Sequence, residues 1–374
     1  MKIAHTADAH FGKTRFDKPD PEGGNLFETL CYENARLGAQ RIIARKPDVV
    51  VRAGDQYNAV IPKTKAITTD QEILQMYEDA GIEVVQIVGN HDMPKTSHVA
   101  CPLEITANSN RVHSAHAYRY ESVEIQDTIF HLIPNMLYAA DYLTAMKEVK
   151  ISSSHNNVLV THGLASTIRD RRLAEAAEFE LGPEILLAQL DQKFLGHYHG
   201  QEEVGPDTYY SGSQEYLAYG EIDQIKGALI ADPARHTADH LDLPCIPMMD
   251  LGTIHSAELT GEQLAEIIVR RAENLPENSM ARITLDFMDG PVCKVPDKAL
   301  DGVRNRLLDL NIRTKSNGVV TAEIQQQDLI AINVVEEFGT FLQQRTMTDQ
   351  QRAAVLSRGT DTLKTVVADH EVSA

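Results

Sequence analysis

Short β-rich runs punctuate the first part of the chain, at Lys2–Thr6, Asp48–Arg52, Glu83–Val88, Thr128–Ile133, Asn157–Thr161 and Lys193–Leu195. Helical periodicity fills the early gaps between them. Phe27, Leu30, Leu37 and Ile42 share one apolar face, and Ile67, Leu74 and Tyr77 share another, closed by Gly81. Strands alternating with helices predict an α/β layered domain. Pro233 and the stretch LDLPCIPMMD at 241–250 interrupt the pattern and mark a boundary.

A second unit begins beyond that boundary. Thr260 and Gln263 form a capping-box pattern that opens a helix to about Asn274. Arg282–Phe287 alternates like a strand, Val303, Leu307 and Leu310 predict a helix, and Asn311–Lys315 another strand. The result reads as a small α+β domain. In the last segment Thr348–Gln351 caps a short helix ending near Gly359, and Leu363, Val366 and Val367 lie on a second one. Two such helices bury little surface alone. They read either as a pair docked on its own domain or as an anchor for a partner. The expected division is therefore 1–240, 250–335 and 340–374.

Composition narrows the picture. A chain of 374 residues is too long for one ordinary core, and 43% apolar with 24% charged residues is the balance of a soluble globular protein. The formal charge of −19 argues against a whole surface that binds nucleic acid or anionic membrane. Contact with phosphates must come from a local basic patch or from bound cations. Cys31, Cys101, Cys245 and Cys293 lie far apart with no C-x-x-C pair, so a reducing cytoplasm is the expected location. The opening MKIAHTADAH reads as a strand and its loop and not as a signal peptide, and no apolar run approaches the ~18 residues of a membrane span.

The chemistry lies just past the strands. After the first comes Asp8-Ala9-His10, after the second Gly54-Asp55, and after the third Gly89-Asn90-His91-Asp92. Further on come Thr161-His162-Gly163 and Gly196-His197-Tyr198-His199-Gly200. Each piece alone has a plain structural reading: a polar turn, or a satisfied histidine. Together, and always after an apolar run, they predict one rim, because ligands of open α/β sheets bind outside the carboxyl ends of the strands. Asp8, Asp55, Asn90, His10, His162, His197 and His199 make an oxygen/nitrogen set without thiolate, too many for one tetrahedral zinc and suited to a pair of divalent ions. Two dications against two ligating aspartates would leave the site net positive, so an acidic protein can still hold a phosphodiester.

As a set, D-x-H, G-D, G-N-H-D, H and G-H-x-H resemble the signature of the calcineurin-like metallophosphoesterases, over residues 8–199. Within that superfamily the chain is most similar to SbcD-type nuclease subunits of the double-strand-break repair nuclease–ATPase complex. The run FLGHYHGQEEVGPDTYYSGSQEYLAYGEIDQIKGALIAD at 194–232 shares that family's G-H-x-H, tyrosine, S-G-S, acidic residue and K-G. The resemblance implies a four-layer sandwich, two β-sheets flanked by helices, with a small capping domain and C-terminal helices.

Carried over by position, one metal takes Asp8, His10 and His199, the other Asn90, His162 and His197, and Asp55 bridges them. The family's metal is manganese. His91 resembles the family's non-ligating catalytic histidine, which stabilises transition-state charge or protonates the leaving oxygen. Asp92 is then expected to orient it, and Gly89 to let the strand end sharply. One departure stands out. Where many members follow Gly-Asp with an aliphatic residue, phenylalanine and then an acid or histidine, this chain has Gln56-Tyr57-Asn58, and Asn58 cannot do acid–base work.

Positive charge beside the motifs gives candidate DNA contacts at Lys13, Arg15, Arg169, Arg171 and Arg172, with Lys18 and Lys95 nearby. In the second unit they are Lys298, Arg304 and Arg306, within a stretch at 294–315 that sets six cations against three aspartates. The plain reading is a solvated face; the functional one is a surface that tracks the DNA backbone without reading bases. The leading expectation is a manganese-dependent DNA nuclease. The resemblance implies exonuclease action on duplex ends, endonuclease action on single strands or hairpins, a homodimer, an SbcC-type coiled-coil ATPase partner and a nucleoid-associated role. The alternatives are a phosphatase or phosphodiesterase of another substrate, and a non-catalytic DNA-end scaffold.

Overall fold

A computed structural model describes residues 1–316 except 97, 107–108, 169–179, 257 and 289, and beyond them only Arg352, Ala353, Val355, Leu356 and Gly359. Residues Met1–Asn317 form one compact unit. The expected C-terminal helices, and Arg169, Arg171 and Arg172, lie outside the described residues apart from those five positions.

In chain order the first elements are β1 (Ile3–Thr6), α1 (Leu26–Ala44), β2 (Val49–Ala53), α2 (Thr64–Asp79), β3 (Glu83–Ile87), α3 (Leu103–Thr106) and β4 (Val112–Ala115). There follow β5 (Glu121–Ile125), β6 (Thr128–Ile133), α4 (Ala139–Glu148), β7 (Asn156–His162), β8 (Leu164–Ala165), β9 (Glu180–Leu181), α5 (Pro183–Leu186) and β10 (Gln192–Gly196). The chain continues through β11 (Glu202–Gly205), β12 (Thr208–Tyr210), β13 (Ala228–Asp232), β14 (Thr237–Leu241) and β15 (Met248–His255). It closes with α6 (Gly261–Ala272), β16 (Met280–Phe287), α7 (Asp301–Arg306) and β17 (Asp309–Ser316).

Two six-stranded sheets result, in the orders β14-β13-β1-β2-β3-β4 and β11-β12-β10-β7-β6-β5. Alternation along each strand explains how they stack. Ile3, Val49, Val51, Val85 and Ile87 meet Phe130, Leu132, Val158, Val160 and Phe194 in a core between the sheets. The intervening Ala4, Val50 and Val84 face outward to Tyr32, Ile42 and Leu74 of α1 and α2. On the far sheet Leu159, Leu195 and Tyr210 face Tyr142 and Ala145 of α4 and Ile185 of α5. A period of two buried on both faces thus gives the expected four layers. Strands β1, β2 and β3 are mutually parallel, as are β6, β7 and β10, so each set ends its carboxyl termini together.

The third sheet, β15-β16-β17, is parallel throughout and packs its own core against α6 and α7. The capping box at α6 forms as expected, Thr260 accepting from the Gln263 backbone and Gln263 from that of Thr260. The helix expected through Leu310 stops at Arg306, and Leu310 pairs with Ala281 in β17 instead. Lys18 explains the stop: its Nζ donates to the carbonyls of Asn305 at 2.6 Å and Leu307 at 2.8 Å, satisfying the helix end from another element.

Phe194 is fully buried between the two large sheets. Phe194→Ala should destabilise the protein by about 3–5 kcal/mol, read as a lowered urea midpoint.

Candidate metal centre

Four of the chemistry-bearing residues stand in the left-handed backbone region: Asp8 at φ 55°, His10 at 47°, Asp55 at 51° and His197 at 102°. Non-glycine residues adopt it at a cost, and such strain clusters where geometry serves function. All four lie just past parallel strand ends. Close approach fixes the glycines as well. A Cβ on Gly89 would strike the Asp55 carboxylate and the His162 ring, and one on Gly196 would strike the Ala53 carbonyl. Gly89 is thus required by contact across the rim, not by the sharp strand end expected from sequence.

The strand ends bring the expected ligands together. Asp55 Oδ2 lies 3.5 Å from His10 Nε2 and 3.6 Å from His162 Nε2. On one side His10 Nε2 faces His199 Nε2 at 3.2 Å, with Asp8 beside them. On the other, Asn90 Oδ1 faces His162 Nε2 at 2.9 Å and His197 Nδ1 at 3.0 Å. Asp8 accepts the His197 backbone N–H at 2.9 Å, tying the first and last motifs.

Tautomers make this arrangement a cation site. His162 Nδ1 lies 2.8 Å from the Ala53 carbonyl, which only accepts, so Nδ1 carries a proton and Nε2 points its other valence at Asn90 and Asp55 oxygens. His199 Nδ1 donates to Glu221 Oε1 at 2.8 Å, which aims its Nε2 at His10. Acceptors therefore converge on acceptors, and either protons or cations must sit among them. Burial opposes charge on His162, yet the Asp55 carboxylate and then Asp8 outweigh it and lift this imidazole to about 9. Burial likewise opposes ionisation of Asp55, but His162, then His10 and His91, hold its carboxyl well below the usual range. Burial drives His10 far below an ordinary histidine. Imidazole, carboxylate and amide oxygen without thiolate fit hard or borderline divalent ions, which His162 can ligate once it gives up its second proton.

His91 sits beside this cluster. Its backbone N–H donates to Asp55 Oδ1 at 2.8 Å, and its ring packs edge-on against His10 with centroids 4.7 Å apart. Alone among the histidines of the centre, His91 is exposed. Asp92 corrects the sequence reading. It does not hold the His91 ring, whose Nδ1 faces the Asn58 carbonyl at 3.3 Å. The buried Asp92 carboxylate instead accepts backbone N–H groups from Gly89 and Gln56 at 2.7 Å and Tyr57 at 3.2 Å, stapling the second and third motif loops together. Burial, reinforced by the Asp55 charge, pushes its pKa up to about 7.

Two supporting networks were not assigned from sequence. Glu221 joins His199 to Lys226, whose Nζ lies 2.7 Å from Glu221 Oε2 and also donates to the His199 carbonyl and Ser213 Oγ. The acid and the K-G of the 194–232 run carried the signal. The other explains the Gln56-Tyr57 departure. Buried Arg52 donates to Gln56 Oε1 at 2.7 Å and pairs with Asp70, which also accepts Tyr57 OH at 2.7 Å. Gln56 and Tyr57 thus lock the loop bearing Asp55 to α2.

The basic candidates divide. The Arg15 guanidinium, half-buried, packs over the Phe16, Phe27 and Tyr219 rings, with Phe16 nearest at 4.5 Å. Arg306 is half-buried and donates to the Ala272 and Leu275 carbonyls at the end of α6. Arg304 pairs with Asp297 at 3.0 Å. Lys13 is half-buried beside the centre, where burial lowers its pKa, while Lys298 and Lys95 are exposed.

A family model described as calcineurin-like phosphoesterase matches residues 1–226. The chain is 30% identical over 105 residues to the DNA double-strand break repair protein Mre11 of Methanocaldococcus jannaschii, covering 28% of this chain and 27% of that one. It is 25% identical over 248 residues to the protein of the same name from Methanopyrus kandleri, covering 61% and 52%. It is 26% identical over 286 residues to the SbcD subunit of the nuclease SbcCD from Staphylococcus saprophyticus, covering 68% and 71%. The chain thus spans about a quarter and about half of the two archaeal relatives.

Glu221→Ala should weaken divalent-ion binding by about 10–100-fold, measured by calorimetry on the full chain. Asp70→Asn leaves Arg52 buried without a counter-charge and should destabilise the fold by about 3–5 kcal/mol in urea unfolding.

Proposed function

The chain belongs to the calcineurin-like phosphoesterase family, and from that premise we propose that it is a metal-dependent DNA nuclease that hydrolyses phosphodiester bonds in double-strand-break repair. The observation that carries this reading is Asp55, whose Oδ2 faces His10 at 3.5 Å and His162 at 3.6 Å across the centre. One carboxylate facing two ligand clusters is what a pair of ions requires. Asp8, His10 and His199 would hold one ion, Asn90, His162 and His197 the other, with Asp55 shared. Bound divalent ions, manganese by family resemblance, would supply positive charge for the phosphoryl oxygens and lower the pKa of a water.

The protein's own groups define the rest. Glu221 and the Ala53 carbonyl fix the imidazole tautomers, and Asp92 fixes the two loops that present Asp55 and Asn90. His91 is exposed at the edge of the centre, with its backbone held by Asp55 and its ring by Asn58. Water adds to phosphorus as the bond to the leaving oxygen breaks, and His91 is placed to give that oxygen a proton or to stabilise its charge. An exposed histidine that, by family resemblance, is not a ligand has no purpose in a scaffold that keeps ions only for structure. The relatives named as Mre11 and as part of the nuclease SbcCD support DNA as substrate. A homodimer and an SbcC-type ATPase complete the proposal. Lys298, Arg313 and Lys315 are exposed cations suited to following the DNA backbone.

His91→Ala should lower manganese-dependent cleavage of end-labelled duplex and single-stranded circular DNA by about 10²–10⁴-fold, with ion binding retained. Turnover of a small chromogenic phosphodiester without any DNA cleavage, even after adding the ATPase partner, would overturn the nuclease reading.

A further inference from the structure

Beside His91 the rim opens into a cavity of about 520 Å³, within the roughly 300–1,000 Å³ range of small-molecule sites. Its walls are apolar. Val60 and Ile61 stand on one side, from the loop after Asp55, and Met93, Pro94 and Val99 on the other, from the loop after Asp92. Ile61 is 79% exposed, an uncommon position for a large aliphatic side chain next to a polar centre. Asn90 and His91 form the end nearest the metal centre, and Lys95 adds a cation to the lining. Among the described lining residues there is no carboxylate, although the chain carries 54 acidic residues.

We propose that this cavity is a nucleoside subsite: it receives the sugar and base attached to the phosphate undergoing hydrolysis at Asn90 and His91. The occupant follows from continuity with the centre. A phosphodiester held there must send one of its two organic arms along the adjoining wall, and only an apolar-faced group gains by lying against Ile61 and Pro94. A nucleobase presents such a face whatever its identity. Among the described lining residues only Asn90, His91 and Lys95 carry hydrogen-bonding side chains, so these residues read no sequence, and Lys95 is suited to meet a neighbouring phosphate. The inference rests on the phosphodiesterase reading of the same centre and deepens it.

The test is calorimetric titration of the full-length, manganese-loaded protein with inorganic phosphate, dAMP and dTMP. Burying part of one ring face should make both nucleotides bind about tenfold more tightly than phosphate, and nearly equally to each other. Ile61→Ser combined with Val60→Ser should bring both to within about twofold of phosphate while phosphate affinity stays at the wild-type value. Ile61→Ser alone, at an exposed position where folding is not at stake, should move them in the same direction. Equal binding of phosphate and nucleotide by the wild type would overturn the subsite. So would a preference that survives the double substitution, or a parallel loss of phosphate binding. If the preference appears and falls as expected but the wild type cleaves no DNA, the subsite stands and the nuclease reading fails.

Discussion

Asp55 sets the terms for its surroundings. Its carboxylate lies fully buried where the strand ends of two facing sheets meet, among imidazoles from both. A buried carboxylate must be matched by positive charge or hydrogen-bond donors, or it neutralises. Here the nearest groups are His10 and His162; the Ala53 carbonyl sets the tautomer of His162, and Glu221 that of His199, which faces His10. Their ring nitrogens are thereby turned toward the centre and toward one another. The imbalance is the site's chemistry: it favours divalent ions and excludes a quiet structural core.

Holding that arrangement takes strain and staples. Asp8, His10, Asp55 and His197 occupy a backbone region that ordinary residues avoid, and the surrounding bonds over-determine them. Asp92 gathers three backbone N–H groups from two loops. The Arg52–Asp70 pair fastens the Asp55 loop to α2 through Gln56 and Tyr57. Lys226 carries the Glu221–His199 link. The staples fasten neighbouring loops to one another, while the backbone bond from His197 to Asp8 and the contacts of Asp55 with His162 join the two sheets.

Charge is deployed sparingly on an acidic protein. Arg15, Lys18 and Arg306, which read as free cations along the sequence, are used internally against aromatic rings and helix-end carbonyls. Among the described residues, the surface beside His91 carries apolar side chains and Lys95, without carboxylates.

The four-layer sandwich came with the family resemblance, while the sequence by itself determined the alternation of strands and helices, an α/β layered domain, and every proposed ion ligand from Asp8 to His199. Local patterns carry these, because strand period, loop punctuation and residue chemistry are properties of neighbours in the chain. Strands at Val112–Ala115, Glu121–Ile125, Ala228–Asp232 and Thr237–Leu241 were not legible, since edge and hairpin strands take much of their identity from pairing partners. The tertiary structure decided what depends on distance. It turned Asp92 from His91 to the backbone, capped the end of α7 with Lys18 from the loop between β1 and α1, packed Arg15 on aromatic rings, and placed Glu221 behind His199. A side chain's donors and acceptors find their partners across the fold, and one chain's local pattern does not say which partners those will be.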